Sequence, residues 1–273
     1  MLTRRTYIKS MGAIFPVARL KAFATEPDFG AYRDAEKEKF MLSAKIVSAE
    51  EIGHGVTKPV KVQMEAGGVT HAASIQVVDK ALPDFFASDG TRALSRDSWR
   101  FNIAAYRLDR LLGMKMVTVA VQREYQGKPA AFSWWVDDVM FEEVDRIKRD
   151  IAAPDAESFE RQRCVSRVFD ELIINIDRNL SNLLITKNWT LALIDHSRAF
   201  NAYHGIRNKE NLTRCSRPLL EAMKALTASS VAQAEGTYLT NPERAALLGR
   251  RDRIVEFFTD RIKAKGEENV LFG

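Results

Sequence analysis

With 273 residues, 46% of them hydrophobic and 28% charged, the chain is long enough to bury one sizeable core or two modest lobes, and too apolar to be disordered throughout. The formal net charge of +5 favours a polyanionic partner such as nucleotide phosphate, yet the basic residues fall in mixed-sign stretches such as Glu36-Lys37-Glu38-Lys39 and Arg250-Arg251-Asp252-Arg253, the pattern of solvated helix faces and not of a nucleic-acid-binding stripe. No stretch reaches the roughly 18 to 20 uninterrupted apolar residues of a transmembrane helix, and Cys164 and Cys215 lack metal-ligand spacing, which excludes a zinc site and predicts buried free thiols, with a single disulfide as the alternative.

At the amino terminus, Thr3-Arg4-Arg5-Thr6-Tyr7-Ile8-Lys9 resembles a twin-arginine export motif, in which paired arginines precede an aromatic, an aliphatic and a lysine. An uncharged run over residues 10–18 follows, and Ala22-Phe23-Ala24 supplies a small-x-small cleavage site, so residues 1–24 are expected to be a signal for export to the periplasm. The alternative is an amphipathic basic helix kept on a cytoplasmic protein, since Pro16 interrupts the apolar run. Residues 25–45 read as a linker.

From residue 46 to 78 the pattern has strand period: Val60, Val62 and Met64 alternate with Lys61, Gln63 and Glu65, and Ala66-Gly67-Gly68 forms the turn into a second strand beginning at Val69. Between residues 96 and 113 the period changes to helical, with Ala104, Leu108, Leu111 and Leu112 on one face and Gly113 as the stop. Residues 117–122 and 130–136 read as two further strands joined at Gln126-Gly127-Lys128. Trp134 and Trp135 fall near the lobe boundary, and because adjacent strand residues point to opposite faces one of them must be core. Helical patterns then cover residues 158–174, 217–226 and 241–265. The expected architecture is therefore α+β and two-lobed: a small antiparallel β lobe with one helix over residues 46–136, then a mainly helical lobe over residues 137–273.

The residues that carry chemistry run from Arg167 to Phe200. Their order is helix, then Asp177-Arg178-Asn179-Leu180-Ser181-Asn182, an apolar strand, a turn at Lys187-Asn188, a second apolar strand and Ile194-Asp195-His196. Phosphoryl transfer needs a carboxylate near the attacking hydroxyl and oxygen ligands that hold magnesium against the phosphates. Asp177 suits the first role; Asn182, five residues on, and Asp195, from the opposite side, suit the second. His196 and Arg198 read as turn residues packing on the helical lobe.

This arrangement resembles the atypical kinases: the phosphoinositide 3- and 4-kinase group, HipA-like kinases and the secretory-pathway kinases that phosphorylate casein-like substrates. Lipid kinases of this superfamily show Asp-Arg-His-x-x-Asn and then Ile-Asp-Phe-Gly, where this chain has Asp177-Arg178-Asn179-Leu180-Ser181-Asn182 and Ile194-Asp195-His196-Ser197. A bacterial group of kinase-like proteins is similar over residues 46–273, through its Gly-x-Gly-Val-Thr, Ala-Ala-Tyr-x-Leu-Asp and Asp-His-Ser-Arg-Ala-Phe segments. The resemblance implies a protein-kinase-like fold, ATP or another nucleoside triphosphate with Mg2+, catalytic Asp177, and metal ligands Asn182 and Asp195. The acceptor, whether protein, lipid or small molecule, is left open.

Gly53-His54-Gly55-Val56-Thr57-Lys58 lies where a phosphate-covering loop belongs, making Gly53, Gly55, Thr57 and Lys58 candidate nucleotide contacts. The phosphate-binding lysine expected in the third strand is replaced by Gln76, and the helix glutamate that would pair with it by Asn102. Two outcomes follow. Either Lys58 or Lys61 supplies the missing charge, as happens in with-no-lysine kinases, or the chain is a pseudokinase that binds a nucleotide without transferring phosphate.

Overall fold

A computed structural model describes residues 33–52 and 59–273. The proposed export segment and the glycine-loop candidates Gly53, Gly55, Thr57 and Lys58 lie outside these residues.

The chain enters through α1 (Asp34–Ser43), then β1 (Lys45–Glu51), β2 (Val60–Ala66) and β3 (Val69–Gln76). The stretch read as a linker thus contains a helix. Its Glu-Lys run suggests a fully solvated segment, but Lys37, Phe40 and Met41 fall on one face and are buried. Arg110 pairs with Asp34 at 2.6 Å, and Arg123 donates to the carbonyls of Met41 (2.6 Å) and Ala44 (2.9 Å), fixing the helix to the body. The β2–β3 hairpin forms as the alternation requires. Gly67 and Gly68 adopt φ of +59° and +79°, the double positive φ of a two-residue hairpin turn. Val62 and Met64 face Ala73 and Ile75 across the core side, so Lys61, Ser74 and Gln76 share the opposite face.

A separate two-stranded hairpin, β4 (Asp79–Phe86) and β5 (Arg92–Ser98), follows before α2 (Arg100–Leu111). The helix expected from residue 96 therefore begins at Arg100, because residues 96–98 are committed to β5. The hairpin itself carries no clean alternation of apolar side chains, which is why its period is not legible. α2 ends at Leu111, and Gly113 takes φ +73°. Buried Asp109 then accepts from the amides of Met116 (2.9 Å) and Val117 (3.1 Å), turning the chain towards β6 (Ala120–Tyr125) and β7 (Lys128–Trp134). The main sheet is antiparallel with order β1-β2-β3-β7-β6, and α2 lies against β6 and β7.

The second lobe begins with β8 (Val139–Glu142), α3 (Glu143–Lys148) and α4 (Ala156–Ile173), the last capped by Asp155, whose carboxylate accepts from Ser158 N. β9 (Leu183–Thr186) and β10 (Leu191–Leu193) join β8 in a small antiparallel sheet. β11 (Cys215–Ser216), α5 (Arg217–Ala225), α6 (Ala228–Glu235), α7 (Asn241–Lys265), α8 (Glu267–Val270) and β12 (Leu271–Phe272) complete the chain, β12 pairing in parallel with β11. Cys164 and Cys215 are buried free thiols. One apolar core runs through both lobes, from Met64 and Ile75 through Leu108 to Phe169, Leu193 and Phe258. Among the described residues no helix is long and apolar enough to cross a membrane.

Candidate active site

α4 stops because Ile174 takes a left-handed conformation at φ 46°, and the chain then reverses. Asn175 Oδ1 accepts from the backbone N–H of Asp177 at 3.2 Å, a local turn that leaves the Asp177 side chain half exposed at 51%. Arg178 points the other way, into the protein. Its guanidinium pairs with Asp170 at 2.9 Å and donates to the carbonyls of Asn182 (3.1 Å) and Ile194 (2.7 Å). One side chain thereby ties Asn182 to the residue preceding Asp195. Asn179 accepts from the amides of Ser181 (2.9 Å) and Asn182 (3.2 Å) and caps a short turn that sets Asn182 at the entrance to β9.

Asp195 sits at φ 50°, a conformation that costs a non-glycine residue on the order of 1 kcal/mol and has to be imposed by its surroundings. Ile194 N donates to the Asn182 carbonyl at 3.2 Å before it, and His196 N donates to Asn102 Oδ1 at 2.8 Å after it. Asp195 Oδ1 accepts from Gln76 Nε2 at 3.2 Å and from Ser197 N at 3.4 Å. Burial, reinforced by the positive charge of Arg178, pushes the His196 pKa well below its ordinary value. Its Nε2 faces the Arg178 Nη2 donor at 2.9 Å, which assigns the ring hydrogen to Nδ1, and the ring packs edge-on to Phe169. His196 is therefore a packing residue, as its turn position implies.

Gln76 and Asn102 replace the charged pair as a neutral one. Asn102 Nδ2 donates to Gln76 Oε1, so β3, α2 and the residues around Asp195 are joined by amide hydrogen bonds. Both side chains are buried, and a neutral chain avoids the desolvation of two opposite charges. Lys61 shares their sheet face but is engaged elsewhere: its ammonium lies 4.5 Å from the centre of the Trp135 ring and 3.5 Å from Glu50. Trp134 turns to the core side, where it stacks on His71 with ring centres 3.5 Å apart. Of the two tryptophans, Trp135 is the one on the side of Lys61.

Arg198 goes beyond the packing role read from sequence. Its Nε donates to buried Asp97 at 3.0 Å and its Nη1 lies 3.1 Å from Asp177 Oδ2. Burial works against the guanidinium, but the hydrogen bond to Asp97 and the charges of Asp97, Asp177 and Asp195 outweigh it and hold its pKa above the usual arginine range. Two carboxylates thus pair with one guanidinium, with the charge of Asp195 adding to their pull. No sequence signal links Asp97 to this group, since it lies in the illegible hairpin.

The site consequently contains oxygen ligands of the type a hard cation takes, with Asn182 and Asp195 flanking the same backbone contact. Among the described residues no cluster of three His, Cys, Asp or Glu side chains is arranged to hold a metal, so a metal here would need ligands beyond the protein carboxylates, as a nucleotide phosphate provides.

No family model matches the sequence, and no curated protein matches it. Solved structures do. A hydra Fam20 protein, solved with sugar, superposes with a TM-score of 0.66 at 15% identity, over 87% of this chain and 91% of that one. The Golgi casein kinase with Mn/ADP bound superposes with a TM-score of 0.59 at 12% identity, over 89% of this chain and 80% of that one. The chain has a two-lobed, kinase-like α+β fold. In this fold the antiparallel sheet with α2 forms one lobe, and β8 and the helices from α3 onward form the other.

Proposed function

We propose that the chain is a kinase that transfers a phosphoryl group from a nucleoside triphosphate, ATP in the simplest case, to an acceptor hydroxyl. The observation that carries this reading is the Arg178 staple, which fixes Asn182 and the residue before Asp195 to one guanidinium next to half-exposed Asp177. Asp177 receives the acceptor proton as the new O–P bond forms and the bond between the γ-phosphorus and the bridging oxygen breaks; the electron pair leaves with the nucleoside diphosphate. Asn182 and Asp195 would hold Mg2+ or a similar divalent cation, which neutralises charge developing on the phosphates when bound. The Mn/ADP complex of the Golgi casein kinase, which has a similar fold, supports a divalent cation with a nucleotide.

Gln76 takes part as a donor that orients Asp195 and not as a phosphate cation. Lys58, beside Gly53, Gly55 and Thr57, is then the candidate for the missing positive charge, with Lys61 as the second if it leaves Trp135. The neutral pair does not remove the carboxylates, and the reading keeps catalysis with them. The Arg4-Arg5 motif supports an exported kinase, and the segments quoted above support a place in the bacterial kinase-like group. Fractionation of the native host tests export, the processed chain being expected in the periplasm.

Labelled ATP with Mg2+ or Mn2+, offered with protein, lipid and sugar acceptors and scored also for autophosphorylation, tests the reading. Transfer that disappears in Asp177→Ala supports it. Binding without transfer to any acceptor would make the chain a nucleotide-binding pseudokinase.

A further inference from the structure

Arg198 belongs to none of the roles assigned so far, yet it touches the candidate catalytic carboxylate directly. We propose that Arg198 is a positioning residue that holds Asp177 in its transfer-competent orientation, with buried Asp97 of the inserted hairpin as its anchor. The inference rests on the phosphoryl-transfer reading of the same site.

One end of the device is rigid. Asp97 is fully buried, its Oδ2 accepts from Arg198 Nε at 3.0 Å, and its Oδ1 has no hydrogen-bond partner, so the carboxylate depends on this guanidinium for charge compensation. The other end reaches solvent. Arg198 Nη1 lies 3.1 Å from Asp177 Oδ2, and the two side chains are 21% and 51% exposed. The main chain reinforces the link: Ile176 N donates to the Arg198 carbonyl at 3.4 Å, and Ser98 N donates to the Ser197 carbonyl at 2.8 Å. Side chain and backbone of Arg198 thus hold residues 176 and 177 together, and the neighbouring strand end holds Arg198.

The energetics separate the two contacts. An ion pair whose acidic partner is half exposed adds little to stability, whereas the Asp97 contact is buried and costly to break. The outer contact has little value as a fold-stabilising element, but it restricts the Asp177 rotamer. It engages Oδ2 and leaves Oδ1 to accept the proton of the attacking hydroxyl. Misplacing a reacting group by about 1 Å costs on the order of 100-fold in rate. Lysine in place of Arg198 has a single ammonium and cannot span both carboxylates in the same way.

Steady-state kinetics on the full chain test this, with ATP and Mg2+ and whichever acceptor the wild type phosphorylates, its own chain included. For Arg198→Ala we expect kcat to fall about 100-fold with the KM for ATP and the ATP-induced thermal shift unchanged, and for Arg198→Lys a smaller fall, still more than about threefold, with the melting temperature preserved. In an Asp177→Asn background Arg198→Ala is expected to cost nothing further, because the group that it positions is already disabled. A kcat within about threefold of wild type, or above it, in either Arg198 variant overturns the inference. So does an equal loss in the Asp177→Asn background, which would make Arg198 a general structural residue. If Arg198→Ala does not fold, Arg198→Lys alone decides by the same criterion. A wild type without any transfer removes the kinase reading itself, whereas an active wild type with an unaffected Arg198 variant removes only the positioning role.

Discussion

Gln76 of the third sheet strand donates to Asp195 across 3.2 Å, occupying the position where a lysine would bring a charge. The same side chain accepts from Asn102, whose own carbonyl accepts from His196 N at 2.8 Å. The link between β3, α2 and the Asp195 segment is therefore kept in neutral form, and it can be tested as a network. Gln76→Met leaves the buried Asn102 Nδ2 without its acceptor and is expected to cost about 1–3 kcal/mol. The Gln76→Met, Asn102→Leu double variant should cost less than the sum of the single changes by at least about 0.5 kcal/mol. Urea denaturation of the four proteins checks both statements.

Glu235 provides a pH dependence. It is fully buried with neither carboxylate oxygen hydrogen-bonded, and burial, opposed by the charge of Arg107, raises its pKa from 4.5 to about 8. Between pH 4.5 and about 8 the folded chain holds a proton that the unfolded chain has released. The stabilising contribution is accordingly full at low pH and is lost as pH rises through that window. Glu235→Gln should raise stability at pH 7.5 by about 1–3 kcal/mol, roughly 3–10 °C in melting temperature, and flatten the pH profile. Thermal melts between pH 5 and 8 give the comparison.

Arg250 is fully buried in α7 and donates to the carbonyls of Leu172 (2.7 Å), Asn201 (3.0 Å) and Tyr203. It thereby attaches the end of α4 and the segment after Phe200 to the long helix. Arg250→Met is expected to leave three buried carbonyls unpaired and to cost about 3 kcal/mol or more. Denaturation in guanidinium chloride reads this directly, and limited proteolysis should report cleavage first near residues 201–203.

How much of this could be read from the chain follows from the kind of signal each element carries. β2 and β3 were legible because Val60, Val62 and Met64 alternate with polar residues up to a Gly-Gly turn, and α7 because a helical pattern runs through residues 241–265. Asp177, Asn182 and Asp195 stand out in the sequence by their local spacing, and the Arg178 contacts tie Asn182 to the residue before Asp195. α1 was missed because Lys37 lies inside a charge run and still faces the core; β4 and β5 were missed because their strands lack alternation. With the hairpin went Asp97, and with Asp97 the partner of Arg198. The replacement of the ion pair was visible as two separate substitutions at Gln76 and Asn102, but their direct hydrogen bond depends on a tertiary contact that no spacing encodes.

The central claim is that Asp177, Asn182 and Asp195 form one metal-nucleotide phosphotransfer site. Its most direct measurement is a paired assay on wild type, Asp195→Ala and Asp177→Ala: the thermal shift produced by ATP with Mg2+, and the transfer of labelled phosphate, on the same protein preparations. The account predicts that the wild type shows both, Asp195→Ala shows neither, and Asp177→Ala keeps the shift while transfer falls by at least about 100-fold. An ATP-dependent shift as large in Asp195→Ala as in the wild type, or transfer undiminished in Asp177→Ala, would contradict it.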